Sequence, residues 1–345
     1  MRVADYIAER LAKLGVKYIY GIMGGGAAGL NDAFIINEKL KYICFHHEQG
    51  AANAALGESK VTNSLSVVNP TTGCGGLNCM TSLVSAYQDS IPVLFISGNF
   101  RLQQTTRYLN REKNIHLRKI GLQEHDIISN VQPSTKWSCF IENPNEVPEK
   151  LEFAIKTCLS GRKGPCWIDI PADIQGMQIE DKYLNVDDLS VDYLTNEKSI
   201  NSTQLYNICL MKNILDKSEK PLVLAGYGIH LSDSQEKFLK FINKYNIPFV
   251  TTFLSKDYVD YRHNLNIGTI GIKGSRAGNF AIHNCDYLLV LGSSLGPAHI
   301  GYNEKIFSPS SYKVFVNIDK YEKLKDNVNV DLFIDCNLRD FFDYV

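Results

Sequence analysis

The first feature of this sequence that could do chemistry is a single carboxylate at the start of a helix of small residues. Glu48 follows an apolar strand candidate at residues 41–45, and residues 49–57 are rich in Ala and Gly. Small side chains let a neighbouring backbone or a flat ring approach closely, and the helix dipole favours a carboxylate in the first turn. The pattern indicates a site built around one acid, although a first-turn Glu taken alone is more often a solvated cap.

Three other loops follow predicted strands and carry Gly or polar residues. They are GIMGGGAAG at residues 21–29, NPTTGCGGLN at residues 69–78 and GLQEHD at residues 121–126. Open parallel sheets bind ligands at the carboxyl ends of their strands. Each loop is a weak signal by itself, but together with Glu48 they predict one binding site in the first half of the chain.

The composition is that of an ordinary globular protein without a charge bias. The chain has 345 residues and a net charge of -1, so its length favours two domains and nothing attracts nucleic acid or anionic membranes in general. Nine cysteines without a C-x-x-C motif fit neither a disulfide framework nor a zinc site. We expect a cytoplasmic protein with reduced thiols, no membrane span, no metal site of its own and no nucleic-acid partner.

Short apolar runs alternate with helical patterns in both halves of the chain. The predicted strands lie at residues 17–22, 41–45, 65–68, 92–97, 165–170, 221–225, 249–252, 287–291 and 313–319. This alternation predicts an α/β fold of two doubly wound parallel-sheet domains. We place the first domain at residues 1–177, a polar and acidic linker at 178–200 and a Rossmann-like second domain at 201–345.

One local segment is strongly basic. Residues 101–119 carry six Arg or Lys side chains and only one Glu. Such a segment suits a phosphate, an acidic partner or nucleic acid. Because no nucleic-acid-binding motif accompanies it, a solvated helix or a subunit contact is the favoured interpretation.

Taken in order, these segments resemble the pyrimidine-binding domain of thiamine-diphosphate enzymes of the acetolactate synthase type. The similar segments are 21–25 for a G-I-P-G-G turn, 46–57 for an R-H-E-Q-G-A-A-x-x-A-x-G helix, 72–78 for an S-G-P-G-x-x-N loop, 89–98 for a D-S-I-P-L-L-x-I-S-G strand and 122–126 for an F-Q-E-x-D segment. Residues 161–171 are similar to the end of that domain, and 220–228 and 316–319 resemble the family's middle domain. The resemblance covers essentially the whole chain.

The resemblance implies a role for each of the predicted loops. In this family the glutamate at the position of Glu48 bonds to N1′ of the cofactor's aminopyrimidine, which favours the tautomer whose 4′ nitrogen removes the thiazolium C2 proton. The cofactor would then be thiamine diphosphate, the catalytic residues Glu48 and Gln123, and the substrate a 2-keto acid such as pyruvate. The implied cofactor-binding set lies on the same loops and comprises Gly24, Gly25, His47, Thr72, Gly73, Gly75 and Asn78. A homodimer through the first domain is also implied.

The second domain departs from flavin-containing members of the family. Gly226, Gly228 and Arg276 match positions that line their flavin site, but Ser294 stands where they carry Arg. The two glycines by themselves form a G-x-G after a strand, for which a packing turn is the simpler interpretation. FAD binding is therefore in doubt.

The first domain has lost two turn prolines, and the signature of the family's third domain is missing. Met23 and Cys74 stand where the family has Pro, and no G-D-G motif, which holds Mg²⁺ and the diphosphate, occurs in the sequence. We expect Mg²⁺ to bind only with a diphosphate-binding domain supplied by a partner chain. The predicted function is a component of an acetolactate synthase-like carboligase or decarboxylase, a transferase or lyase. The alternatives are a catalytically inactive homologue retained for binding, regulation or structure, and a fragment of a longer, here truncated, product.

Overall fold

Two six-stranded parallel sheets organise the chain, one in each of the units Met1–Glu197 and Lys198–Val345. The computed structural model describes residues 1–184, 200–257, 259–325 and 327–345. It confirms the predicted α/β class and the two doubly wound sheets. Most of the predicted linker at 178–200 lies outside the described residues, so the domain boundaries stay a prediction.

In the first unit the strand order is β2-β1-β3-β4-β6-β5, with every pair parallel. The strands are β1 (Tyr18–Gly21), β2 (Lys41–Cys44), β3 (Ser66–Asn69), β4 (Val93–Asn99), β5 (Trp137–Phe140) and β6 (Cys166–Pro171). The helices are α1 (Val3–Lys13), α2 (Ala28–Ile36), α3 (Glu48–Thr62), α4 (Cys74–Leu77), α5 (Met80–Asp89), α6 (Thr106–Lys113), α7 (Ile127–Val131), α8 (Val147–Leu159) and α9 (Ala172–Gly176). Because β2 and β3 lie on opposite sides of β1, the winding of the sheet reverses there.

The residue patterns explain these elements. Strands β3, β4 and β6 are buried along their whole length, as expected for parallel strands covered by helices on both faces. Helix α1 buries Val3, Ile7 and Leu11 at helical spacing, and the chain turns away at Gly15, whose φ is +92°. Helix α3 buries Ala51 and Ala55, so that it lies close to β1 and β3.

A buried ion pair joins two helices of the first unit. Arg10 of α1 and Glu152 of α8 are 5% and 4% exposed. The guanidinium donates through Nε to Oε1 and through Nη2 to Oε2, the latter at 2.9 Å. Both groups have left water, so each depends on the charge of the other.

The second unit has the strand order β12-β11-β10-β7-β8-β9, again all parallel. Its strands are β7 (Pro221–Ala225), β8 (Phe249–Thr251), β9 (Asn266–Thr269), β10 (Tyr287–Leu291), β11 (Tyr312–Asn317) and β12 (Leu332–Asp335). Its helices are α10 (Ser202–Leu215), α11 (Gly228–Leu231), α12 (Gln235–Tyr245), α13 (Arg276–Asn284), α14 (Pro297–Ile300) and α15 (Leu338–Phe342). This is the strand order of a Rossmann fold. Within the described ranges, none of the helices is both long and apolar enough to cross a membrane.

The G-x-G turn of the second unit packs against the backbone at the end of β10. The N–H of Gly226 donates to the carbonyl of Leu291 at 2.8 Å, and that of Gly228 to the carbonyl of Gly292 at 2.9 Å. A methyl group on Gly228 would lie 2.7 Å from the Cα of Gly292. These contacts support the packing-turn interpretation, and FAD binding stays in doubt.

Candidate active site

A cavity of about 490 Å³ lies in the first unit, where the winding of the sheet reverses. This is the position at which open α/β sheets bind ligands. All four predicted loops reach it, because the strands before them end at the same edge of the sheet. The predicted residues that line the cavity are Gly24, Gly25, Glu48, Thr72 and Gln123.

Glu48 is half-buried at the first position of α3. Its Oε2 accepts a hydrogen bond from Asn78 Nδ2 at 2.9 Å. No hydrogen bond to Oε1 is formed by any of the residues that the structure describes. A Cβ on Gly75 would lie 3.0 Å from Oε1, so a glycine there leaves room for the carboxylate. Asn78 and Gly75 thus orient Glu48 without lining the cavity themselves, and Oε1 is left for a ligand.

The loops that carry Thr72 and Gln123 are pressed together. Gly73 has a φ of +51°, and a methyl group there would overlap the carbonyl oxygen of Gln123. Gln123 itself has a φ of +68°, a backbone region that non-glycine residues rarely adopt and that is found at ligand sites. Gly73 therefore supports the cavity by allowing this contact.

Thr72 brings a buried hydroxyl to the cavity wall. The residue is 3% exposed, and its Oγ1 has no hydrogen-bond partner among the described residues. A methyl group on Gly26 would overlap this oxygen. A buried hydroxyl without a partner costs about 1–3 kcal/mol.

His47 is not brought to the cavity. Its imidazole is exposed, and Nδ1 accepts a hydrogen bond from the backbone N–H of Gln49 at 3.1 Å, which caps α3. Over the part of the chain that the structure describes, no three His, Cys, Asp or Glu side chains are grouped as metal ligands. The cofactor contact of His47 stays a prediction.

The sequence did not lead us to predict the residues at the end of β4 and in the loop after it that line the cavity. Asn99, Phe100, Arg101 and Gln104 line the cavity there. Arg101 is exposed and forms no ion pair with the described residues. The signal was present, since the strand predicted at 92–97 ends at the same edge as the other loops.

Two other cations of the basic segment, Arg107 and Arg111, are paired within the chain. Arg107 contacts Asp126 at 3.1 Å, and Arg111 contacts Glu142 at 2.6 Å and its neighbour Glu112 at 2.7 Å. Part of the segment forms α6, in which no residue is fully buried, and a solvated helix or a subunit contact stays the prediction. Arg101 differs from these because it faces the cavity.

Two buried titratable groups lie behind the cavity. Burial, and then the Glu48 carboxylate, raise the pKa of the Cys79 thiol well above its ordinary value, so this thiol stays neutral behind α3. Burial also raises the pKa of Asp169 to about 7, against the opposing effect of hydrogen bonds from Ser97 and Asn99. Asp169 therefore changes its charge near neutral pH.

Two doubly wound sheets with a ligand-sized cavity at one reversal of winding define an α/β ligand-binding protein. Residues 1–126 match the family described as thiamine pyrophosphate enzyme, N-terminal TPP binding domain. Residues 210–344 match its counterpart, thiamine pyrophosphate enzyme, central domain. Together the matches cover about three quarters of the chain. The chain belongs to the thiamine pyrophosphate enzyme family.

Similar proteins with curated names are acetolactate synthases. A probable acetolactate synthase large subunit from Methanocaldococcus jannaschii is 30% identical over 332 residues, which are 96% of this chain and 53% of the relative. The acetolactate synthase large subunit of Lactococcus lactis is 29% identical over 319 residues, 92% of this chain and 52% of the relative. The acetolactate synthase isozyme 2 large subunit of Escherichia coli is 27% identical over 325 residues, which are 94% of this chain and 55% of the relative. The chain thus spans about half the length of these relatives, and the acetolactate synthase-like resemblance is confirmed.

Proposed function

We propose that this chain forms the pyrimidine-binding half of a thiamine-diphosphate site in an acetolactate synthase-like carboligase or decarboxylase. The substrate would be a 2-keto acid such as pyruvate. The observation that carries the proposal is the geometry of Glu48, which lines the cavity with one oxygen held by Asn78 and the other without a protein donor among the described residues. The diphosphate and Mg²⁺ would be held by a domain supplied in trans.

The residues present fit the aminopyrimidine end of this cofactor. Gly24 and Gly25 present backbone without side chains to the cavity, so a flat ring can lie against them. Glu48 offers an acceptor, and the unpartnered hydroxyl of Thr72 offers a donor and an acceptor. Glu48, Thr72 and Gln123 would hold the pyrimidine, and the bound cofactor would supply the carbon nucleophile that attacks the keto carbon.

The chain's own contribution to the chemistry is proton handling at one atom. Glu48 Oε1 would carry a proton and share it with a ring nitrogen, while the bond from Asn78 keeps the carboxylate from turning. Ile22 and Phe100 line the same cavity. Their apolar side chains would keep water away from that oxygen and so strengthen its hydrogen bond.

Titration calorimetry with thiamine diphosphate and Mg²⁺, followed by an assay of pyruvate consumption, tests the proposal. We expect weak heat from the chain alone and stronger binding after a diphosphate-binding domain is added, since each additional charge-assisted hydrogen bond contributes about 1.5–3 kcal/mol. No heat and no turnover in any mixture would refute the proposal. Cofactor heat without pyruvate consumption would instead favour an inactive homologue, the alternative that Met23 and Cys74 support by replacing turn prolines.

We also propose that the chain forms a homodimer through its first unit, since the family relationship favours such an assembly. The relatives are named as large subunits, and a partner chain that carries the diphosphate-binding domain would complete the site. Light scattering at micromolar concentration measures the oligomeric state of this chain directly. A monomer would contradict the dimer without affecting the cavity chemistry.

Thr72→Val should separate ligand binding from stability. The substitution keeps the shape of the side chain and removes a buried hydroxyl that has no described partner. The free energy of unfolding should therefore stay the same or rise, while the affinity for thiamine diphosphate falls about 2- to 10-fold through the loss of one hydrogen bond. Urea denaturation and calorimetry measure the two effects. Loss of stability with unchanged affinity would show that the hydroxyl faces the protein instead.

Arg101→Gln should raise the KM for the 2-keto acid. Its guanidinium lies at the cavity without a described carboxylate partner, so it is available to the substrate carboxylate. Loss of one charge-assisted hydrogen bond of about 1.5–3 kcal/mol corresponds to about a 10- to 150-fold increase. Arg118→Gln is the matched control, because Arg118 is exposed in the same basic segment and does not line the cavity. Equal effects of the two substitutions would exclude a specific role for Arg101.

A further inference from the structure

The carboxylate of Asp169 lies inside the first unit with a donor on each oxygen. The residue is on β6 and is 1% exposed. Its Oδ1 accepts from Ser97 Oγ at 2.6 Å, and its Oδ2 accepts from Asn99 Nδ2 at 2.8 Å. Both donors come from the neighbouring strand β4, where Ser97 pairs in register with Asp169.

Asn99 connects this carboxylate to two walls of the cavity. Its side-chain oxygen accepts from the backbone N–H of Phe100 at 2.8 Å, and its Nδ2 also donates to the carbonyl of His125 at 3.3 Å. Phe100 and Asn99 line the cavity, and so does Gln123, two residues before His125. One amide therefore fixes the start of the loop after β4 and the loop that carries Gln123.

The arrangement of donors fits an ionised carboxylate and not a protonated one. A proton on Oδ2 would face the amino group of Asn99, and turning that amide would break its bonds to Phe100 and His125. A proton on Oδ1 would face the hydroxyl of Ser97, which can accept it beside the bond from Trp167 Nε1 at 2.8 Å only if its own hydrogen turns away from Asp169. A proton taken up on the side of either donor therefore rearranges one of these two hydrogen bonds.

The surroundings place this proton uptake near neutral pH. Burial raises the pKa of Asp169 to about 7, with Ser97 and Asn99 acting against it. Among charged groups, the carboxylate of Asp126 raises this pKa and the guanidinium of Arg107 lowers it. On the neighbouring strand β5, burial raises the pKa of Cys139 to about 12, so that thiol stays uncharged.

We propose that Asp169 is a positioning residue, which in its ionised form holds the cavity loops through Asn99 and releases them when it takes up a proton. Trp167 reports on this network directly. Its indole is fully buried, stacked on Phe95 at 4.8 Å, and bonded to the same Ser97 hydroxyl. The chain has only two Trp residues, so Trp137→Phe leaves Trp167 as the single Trp fluorophore.

The test is a fluorescence titration of the Trp137→Phe chain from about pH 5 to about pH 9. We expect one transition with its midpoint at about pH 7, and none when Asp169→Asn is added. Asn imitates the protonated carboxyl, and since burial disfavours the charged form it should be tolerated in the fold. Ser97→Ala is a second test of the same network. It keeps Asp169 but removes the hydroxyl that connects it to Trp167, so the fluorescence transition should be suppressed. A flat titration, or a transition that survives Asp169→Asn, would overturn the proposal.

Hydrogen exchange at the Phe100 amide measures the loop itself. After correction for intrinsic rates, protection should be about fivefold lower at pH 6 than at pH 8, the effect of one net hydrogen bond. In Asp169→Asn the protection of the Phe100 amide should be low at both pH values. In Ser97→Ala its pH dependence should remain, because the link from Asp169 through Asn99 to Phe100 is kept. Protection that does not depend on pH would refute the link through Asn99. Neither readout needs cofactor or turnover. Only the effect of these loops on catalysis at the cavity rests on the proposed function.

Discussion

Under the function proposed above, Glu48→Gln should lower kcat for 2-keto acid turnover by about 10²- to 10⁴-fold. The amide keeps the size of the side chain, and its oxygen can still accept the hydrogen bond that Asn78 donates to Oε2. At the other position it presents an amino group, which can donate a hydrogen bond but cannot give up a proton and take it back. The chemistry is then lost while the fold is retained. Steady-state pyruvate consumption, with circular dichroism of the same sample, measures this result.

Glu58→Gln is the matched control on the same helix. Glu58 lies near the other end of α3, accepts a hydrogen bond from Ser66 Oγ at 2.8 Å and does not line the cavity. Its replacement should change kcat less than about twofold, because it is about 15 Å further along the helix. If Glu48→Gln also lost less than about tenfold, Glu48 would not be the acid–base group.

Glu152→Gln should lower the free energy of unfolding by about 3–5 kcal/mol. The substitution keeps the packing of α8 against α1 but removes the carboxylate charge that faces the guanidinium of Arg10, which is 5% exposed. Because both side chains are buried, water screens the lost charge–charge interaction only weakly. Urea denaturation at neutral pH measures the change.

Two further variants identify the cause of that loss. Glu112→Gln removes the carboxylate of an exposed pair with Arg111, and its effect should be too small to measure because water screens such pairs. Replacing Arg10 and Glu152 together by Met should recover most of the stability, since the buried charge that faced Glu152 is then removed as well. A double variant as unstable as Glu152→Gln would indicate that packing, and not charge, is responsible.

The central strands were predictable from sequence because burial on both faces makes them continuous apolar runs. The predicted strands at 92–97 and 287–291 correspond to β4 (Val93–Asn99) and β10 (Tyr287–Leu291). Three edge strands, β5, β9 and β12, were missed. They are only four residues long and most of their positions are only partly buried, so their pairing is decided by the neighbouring strand and not by a local pattern.

The same distinction applies to the site. The rule that ligands bind at the carboxyl ends of parallel strands brought together Glu48, Thr72 and Gln123, and the structure places all three at one cavity. The link from Asn99 to Asp169 spans 70 residues and exists only because β4 and β6 pair in one register. No local sequence pattern contains that register, so this support of the cavity could be found only in the structure.

The two units show how one topology yields two different surfaces. Each sheet reverses its winding once, and each reversal opens a crevice at the carboxyl ends of two strands. In the second unit the N–H groups of Gly226 and Gly228 donate to the carbonyls of Leu291, which ends β10, and Gly292, so two backbone segments are joined at the reversal. In the first unit Gly24 and Gly25 leave the equivalent space open. An engineered ligand site in the second unit would first have to separate two hydrogen-bonded backbone segments, whereas the specificity of the first can be altered by exchanging side chains alone.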